Sequence, residues 1–192
     1  MERLSRNNII LIGFMGSGKS SVGKELAKRM GYRFLDTDAV IEQEEGQSIP
    51  AVFEGKGEAY FRDRETGLLS ELKDILRDTV LSTGGGMPLR EQNRNLLRQL
   101  GFVVYLKAAD ATILRRLKGD RSRPLLAGEA LEVKVERLQR ERGPIYQATA
   151  HYHIDTDDWS PRELADRIID RYQDFIEVNA AEPGTGSEES TG

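Results

Sequence analysis

The segment Gly13-Phe14-Met15-Gly16-Ser17-Gly18-Lys19-Ser20 has the spacing G-x-x-x-x-G-K-S and follows directly on the apolar run Ile9-Ile10-Leu11-Ile12. Glycines at these positions let successive backbone N–H groups curl around phosphate oxygens. The lysine then reaches the terminal phosphates, and the serine hydroxyl can ligate Mg²⁺. A helix beginning near Lys19 adds unpaired amides and its positive dipole end. The segment therefore reads as a P-loop. At average composition the pattern arises by chance in only roughly one per cent of chains this long. A dinucleotide fingerprint fits poorly, because Gly16-Ser17-Gly18 would call for glycine or alanine at Ser21 and has no use for Lys19.

Two further clusters bear chemistry. Asp36-Thr37-Asp38 follows the strand-like Arg33-Phe34-Leu35, so both carboxylates emerge at the carboxyl end of a sheet, where open α/β proteins bind ligands. One carboxylate can hold Mg²⁺ through water while the other accepts a proton from an acceptor hydroxyl. Capping of a helix N-terminus is the plainer use of the same residues. Gly84-Gly85-Gly86 follows Val80-Leu81-Ser82 to the same rim, and its backbone can approach a ligand closely or simply turn tightly.

Cations supply the third clue. Arg62 and Arg64 lie close together, Arg115, Arg116, Lys118, Arg121 and Arg123 crowd one stretch, and Arg140 and Arg142 follow. Single exposed charges are mostly solvated faces. Five cations in nine positions of an acidic protein instead suit phosphoryl transfer, which needs positive charge over a polyphosphate and a cover that keeps water away. No aromatic interleaving supports RNA binding.

The elements that must position these groups are βα units. Apolar runs of four to six residues alternate with stretches of helical period, the pattern of a parallel sheet. Strands are predicted at Ile9–Ile12, Arg33–Asp36, Thr79–Ser82, Phe102–Leu106 and His151–Asp155. Val22, Leu26, Ala27 and Met30 form an apolar stripe that Gly31 can end. Phe61, Leu68, Leu69, Leu72, Ile75 and Leu76 form a second stripe. Asp110 can cap a helix running to Lys118 and ended by Gly119. Ser160, Pro161 and Glu163 make a capping box before a helix that buries Leu164, Ile168, Tyr172 and Phe175. Lys118 to Gly128 reads as a mobile loop. The composition from Asn179 to Gly192 predicts a disordered tail.

The 192 residues suffice for one core domain, and their 38% hydrophobic and 31% charged composition with net charge −4 is that of a globular protein without general nucleic-acid affinity. Absence of cysteine excludes disulfides, thiolate catalysis and Cys-based zinc sites. His151 and His153 fit sheet packing better than metal ligation. No segment reads as a signal peptide or a membrane span, so the expected compartment is the cytoplasm.

These pieces coincide with a family. In order and spacing, the P-loop, Asp36-Thr37-Asp38, Ser48-Ile49 with Phe53, Gly57-Glu58 with Phe61-Arg62 and Glu65, Gly84-Gly85-Gly86, Arg123-Pro124-Leu125-Leu126, Arg142 with Pro144 and Tyr146, and Asp155-Thr156 with Pro161 resemble shikimate kinase. The resemblance runs from about Ile9 to Tyr172. It implies an α/β three-layer P-loop NTPase fold related to the nucleoside monophosphate kinases, with a five-stranded parallel sheet of order 2-3-1-4-5. It also implies a single domain over 1–178, with a substrate-binding excursion near 37–65 and a lid near 116–128.

The implied activity is ATP- and Mg²⁺-dependent phosphorylation of the shikimate 3-hydroxyl by a monomer, with no nucleic-acid or membrane partner. Gly16, Ser17, Gly18, Lys19, Ser20 and Ser21 would bind the phosphates, with Ser20 on Mg²⁺ and Asp36 and Ser82 reaching the metal through water. Asp38 would bind the acceptor hydroxyl and act as its base. Arg62 and Arg142 would clamp the shikimate carboxylate, with Gly84, Gly85 and Gly86 beside the ring. Arg123 would meet the transferring phosphate, and Arg116 and Pro161 would flank adenine. Lys19, Asp38 and Arg123 are thus the implied catalytic set.

A gluconate or nucleoside monophosphate kinase is the nearest alternative, since both accept anions. A GTP-dependent switch would want D-x-x-G after a strand and N-K-x-D, and neither occurs. A binding module that has lost catalysis sits badly with the presence of Lys19, Ser20, Asp36 and Asp38.

Overall fold

A computed structural model describes residues 7–118 and 130–181. The first strand, β1 (Ile9–Ile12), is wholly buried because it runs through the centre of a five-stranded sheet. Helix α1 (Lys19–Met30) returns the chain to β2 (Arg33–Asp36). Two helices, α2 (Thr37–Glu45) and α3 (Ile49–Ile75), precede β3 (Thr79–Ser82). A short 3₁₀ turn (Met87–Leu89) and α4 (Glu91–Leu100) lead to β4 (Phe102–Lys107), and α5 (Asp110–Leu117) follows. Beyond the undescribed residues 119–129 come α6 (Leu131–Thr149), β5 (Tyr152–Asp155) and α7 (Pro161–Ala181).

Every strand pair is parallel and the order is β2-β3-β1-β4-β5. Side chains alternate across a strand, so β1 feeds two cores. Ile9 and Leu11 join Val22 and Leu26 of α1 and Leu164 and Ile168 of α7. Ile10 and Ile12 join Leu69, Leu97, Leu138 and Tyr146 on the opposite face. The result is the expected three-layer arrangement, and it carries the ends of β1, β2 and β3 to one rim.

Most predicted elements recur, with shifts that have local causes. β4 runs one residue further, to Lys107, and β5 begins at Tyr152. His151 still packs as a sheet residue: its Nδ1 accepts the Val103 N–H at 2.9 Å and its ring stacks on Phe102. Gly31 ends α1 in the left-handed region at φ 68°. Ser160 and Glu163 exchange hydrogen bonds as a capping box, with Pro161 opening α7.

Asp110 does not cap α5. Ala109 holds the extended cap position, and the Asp110 carboxylate accepts from Gln139 at 2.6 Å. α5 ends at Leu117, and Gly119 lies outside the described residues. Ile75 is 67% exposed and not part of the buried stripe, because α3 stops there and the chain turns away at Leu76. α7 continues through Ala181, so the compositional break at Asn179 is not the end of the helix. The rest of the predicted tail, 182–192, lies outside the described residues, as do Arg121, Arg123 and most of the predicted lid.

Candidate active site

The loop after β1 turns on glycines that no other residue could replace without strain. Gly13 has φ 147°, and a methyl there would sit 2.5 Å from the Leu106 carbonyl oxygen; Gly16 and Gly18 have φ 78° and 100°. Gly18 then leads into α1, whose first residues are Lys19 and Ser20. The Lys19 ammonium donates to the Gly13 and Phe14 carbonyls at 2.9 Å each. It is thereby folded across the mouth of the loop. Arg116 Nη1 donates to the Gly16 carbonyl at 2.7 Å and covers the other side.

Asp36 takes up the capping use and also reaches the phosphate loop. As N-cap of α2 its Oδ1 accepts the Asp38 N–H at 3.1 Å, while Oδ2 accepts the Ser20 hydroxyl at 3.1 Å. Ser82 lies beside Asp36 in the β2–β3 register and is 1% exposed. Ser20, Asp36 and Ser82 thus form an oxygen-only set at one end of the loop. Among the described residues no group of three or more His, Cys, Asp or Glu could hold a metal ion.

Asp38 projects from the first turn of α2 between two cavities. One, of about 540 Å³, is lined by Gly16 to Ser21, Asp36, Ser82, Arg116 and Pro161. The other, of about 500 Å³, is lined by Phe53, Phe61, Arg62, Gly84 to Gly86 and Arg142. Met15, Asp38, Glu42 and Gly85 line both, so among the described residues Asp38 is the implied catalytic residue at their junction.

The second cavity is apolar on one wall and cationic on the other. Arg62 and Arg142 are 8% and 7% exposed. Arg62 Nη1 donates to Glu65 Oε2 at 2.7 Å, and Nε and Nη2 both donate to Glu58 Oε1, at 3.2 and 2.9 Å. Glu65 is fully buried. Burial pushes its carboxyl up to about 7, with Asp38 adding to the rise and Arg62 opposing it. Buried Arg142 Nη1 and Glu65 Oε1 have no hydrogen-bond partner among the described residues. Orphaned buried polar groups are costly, so one donor and one acceptor in this cavity call for a polar guest.

The three glycines follow from close approach. A methyl on Gly84 would sit 2.5 Å from Asp38 Oδ1 and 3.1 Å from Glu65 Oε1, and one on Gly86 would overlap the Arg62 guanidinium. Gly84 N–H donates to Thr37 Oγ1 at 3.0 Å, which ties the turn to α2.

Lys19, Ser20, Asp36, Asp38, Arg62, Gly84, Gly85, Gly86, Arg116, Arg142 and Pro161 are therefore brought to the two chambers, while Arg123 lies outside the described residues. Arg64, Arg115 and Arg140 take no part: Arg64 pairs with Glu44 and Glu45, and Arg115 and Arg140 are exposed. Three residues given no role in the sequence stand out. Glu42 lines both chambers and accepts the Ile49 N–H at 2.9 Å, which holds α2 against α3. Thr156 and Trp159 line the first chamber, with the Arg167 guanidinium 3.7 Å from the centre of the Trp159 ring. Of the three, only Thr156 belongs to the motif set that carries the resemblance.

Comparison with known proteins agrees with this geometry. The family model for shikimate kinase matches residues 15–173. The shikimate kinase of Thioalkalivibrio sulfidiphilus is 46% identical over 167 residues, 87% of each chain. The shikimate kinase of Acinetobacter baumannii, solved in complex with shikimate, superposes with a TM-score of 0.82 at 42% identity, covering 91% of this chain and 95% of that one. A gluconokinase from Sinorhizobium meliloti, at 17% identity and a TM-score of 0.54, shares the fold alone.

Proposed function

This chain belongs to the shikimate kinase family, and from that footing we infer that it transfers the γ-phosphoryl group of ATP to the 3-hydroxyl of shikimate, giving shikimate 3-phosphate and ADP. The observation that carries the reading is the junction at Asp38. A phosphate cradle lies on one side of that carboxylate, and a chamber walled by two buried arginines lies on the other.

The glycine-lined loop binds the triphosphate through its amides, and Lys19 exchanges its two carbonyl partners for phosphate oxygens. Ser20, Asp36 and Ser82 suit Mg²⁺, a hard ion that keeps several of its own waters and needs few protein oxygens. Bound there, Mg²⁺ would neutralise charge on the β- and γ-phosphates. Arg62 and Arg142 hold the shikimate carboxylate, since a planar guanidinium matches it in geometry and charge. The acceptor oxygen bonds to the γ-phosphorus as the bond to the β,γ-bridging oxygen breaks. The hydroxyl proton passes to Asp38 and ADP leaves. Arg123 keeps the role that the resemblance gives it, charge neutralisation at the transferring group. Residues of this one chain line both chambers, so the reading needs no residue from a second copy, and a monomer is the assembly we propose.

An assay of ADP release offered shikimate, gluconate and AMP in turn tests the assignment. Shikimate is expected to exceed both others in kcat/KM by at least about 10²-fold, since a site built to pair a substrate's polar groups can reject others by up to roughly 10⁴- to 10⁵-fold. Comparable rates with gluconate or AMP would overturn it.

Trp159 offers an independent test of the nucleotide side. It is the only tryptophan in the sequence and lines the first chamber. Titration with MgATP is expected to change its emission saturably, whereas shikimate alone leaves it nearly unchanged. A flat response to MgATP would show that the nucleotide does not reach that wall.

A further inference from the structure

Tyr146 lies on α6, one turn after Arg142, and its side chain is fully buried. Its hydroxyl donates to the Gly85 carbonyl at 2.6 Å, and its ring packs tilted on Tyr105 with centroids 5.2 Å apart. Burial pushes the phenol up to about 12, so the group remains a donor at neutral pH. Nothing in the phosphoryl-transfer scheme uses it.

Gly85 is not an ordinary partner. It lines both chambers, and a methyl placed on it would lie 3.5 Å from the Gly13 carbonyl oxygen and from the Met15 N, so its backbone is seated against the phosphate loop. A glycine turn has the widest backbone freedom of any sequence, and three glycines in a row need an external constraint to hold one conformation. The described peptide bonds are all trans. In a trans peptide the carbonyl and the following N–H point in opposite directions. The bond that pins the Gly85 carbonyl to α6 therefore also sets the direction of the Gly86 N–H on the wall of the acceptor chamber.

Resting on the shikimate reading, we propose that Tyr146 is a positioning residue for the acceptor: its hydroxyl fixes the Gly85–Gly86 peptide so that this turn presents a preset donor to the substrate ring. Arg142 and Tyr146 share one face of α6, at i and i+4. One helix thus supplies both a cation for the carboxylate and the restraint on the turn beside it. The loop from Gly13 to Gly18 has its own hydrogen bonds from Lys19 and Arg116, so loss of the Tyr146 bond leaves nucleotide binding little changed.

The test is Tyr146→Phe, which keeps the ring and its packing and removes one oxygen. KM for shikimate is expected to rise about five- to ten-fold, the reach of one net hydrogen bond. KM for ATP is expected to stay within two-fold, and a thermal melt to remain cooperative. Tyr105→Phe, which alters the neighbouring ring without touching the turn, is expected to leave both constants unchanged. Calorimetric titration of shikimate onto Tyr146→Phe reads the same loss without turnover. A shikimate KM within two-fold of the unmodified protein overturns the proposal, as does an equal rise in both constants. If the unmodified protein does not phosphorylate shikimate at all, the functional reading fails first. If it does and Tyr146→Phe behaves like it, only the positioning role fails.

Discussion

Asp38→Asn is expected to lower turnover by about 10²- to 10⁴-fold, the usual contribution of a positioned general base, while MgATP still binds. The expectation rests on where α2 starts. Asp36 caps the helix and accepts the Asp38 N–H, which fixes the Asp38 backbone at the rim. Gly84 leaves room for the carboxylate, since any side chain there would collide with Oδ1. Asparagine has nearly the same shape, so both chambers keep their walls and only the ability to take a proton is lost. The substitution also removes one of the charges that push the Glu65 carboxyl upward, which leaves the Arg62–Glu65 pair intact or tighter. Steady-state kinetics with both substrates varied checks this. Turnover within a few-fold of the unmodified protein would show that Asp38 is not the base.

Arg62→Ala is expected to raise the KM for shikimate by about 30-fold to 5 × 10³-fold, because loss of one partner of a buried, hydrogen-bonded charge pair costs roughly 2–5 kcal/mol. KM for ATP should move by no more than a few-fold, since Arg62 lines only the second chamber. The variant should still fold. Removing Arg62 leaves Glu65 buried, but that carboxyl is already held near 7 and can take up a proton instead of remaining an uncompensated charge. Equal changes in the two constants would refute a role in holding the carboxylate.

How much of this was legible in the sequence depended on what each residue packs against. β1, β3, β4 and α1 were readable because their apolar residues follow the simple periods of buried strands and of a one-faced helix, as at Ile9–Ile12 and Val22, Leu26 and Ala27. α6 was not, because its buried stripe runs Val135, Leu138, Arg142, Tyr146 and Thr149, with a cation in the middle and Pro144 within the helix. Of α3 only the second half was readable, from the stripe Phe61, Leu68, Leu69 and Leu72; Arg62 and Glu65 are buried beside that stripe, and the first half lies beyond Gly57, which breaks the helix at φ 82°. Helices that wall the acceptor chamber bury charge, and buried charge is invisible to a hydrophobic period.

Site residues sorted in a similar way. Those proposed to meet phosphate through glycine and backbone, Gly16 to Ser20, carry a sequence pattern of their own. Glu42 and Trp159 meet Ile49 and Arg167 across the junction between two elements, and Tyr146 meets Gly85 from a distant part of the chain; none of these pairings follows the period of a single helix or strand.

The central claim is that Asp38 stands where a phosphoryl group leaving ATP meets a hydroxyl of shikimate. Phosphorus NMR of the unmodified protein with shikimate and MgATP tests it most directly. The expected result is one new phosphomonoester signal growing in equal amount with ADP, coupled to the proton at the 3-position of the ring. Inorganic phosphate accumulating with ADP and no ester, or an ester at another hydroxyl, would contradict it.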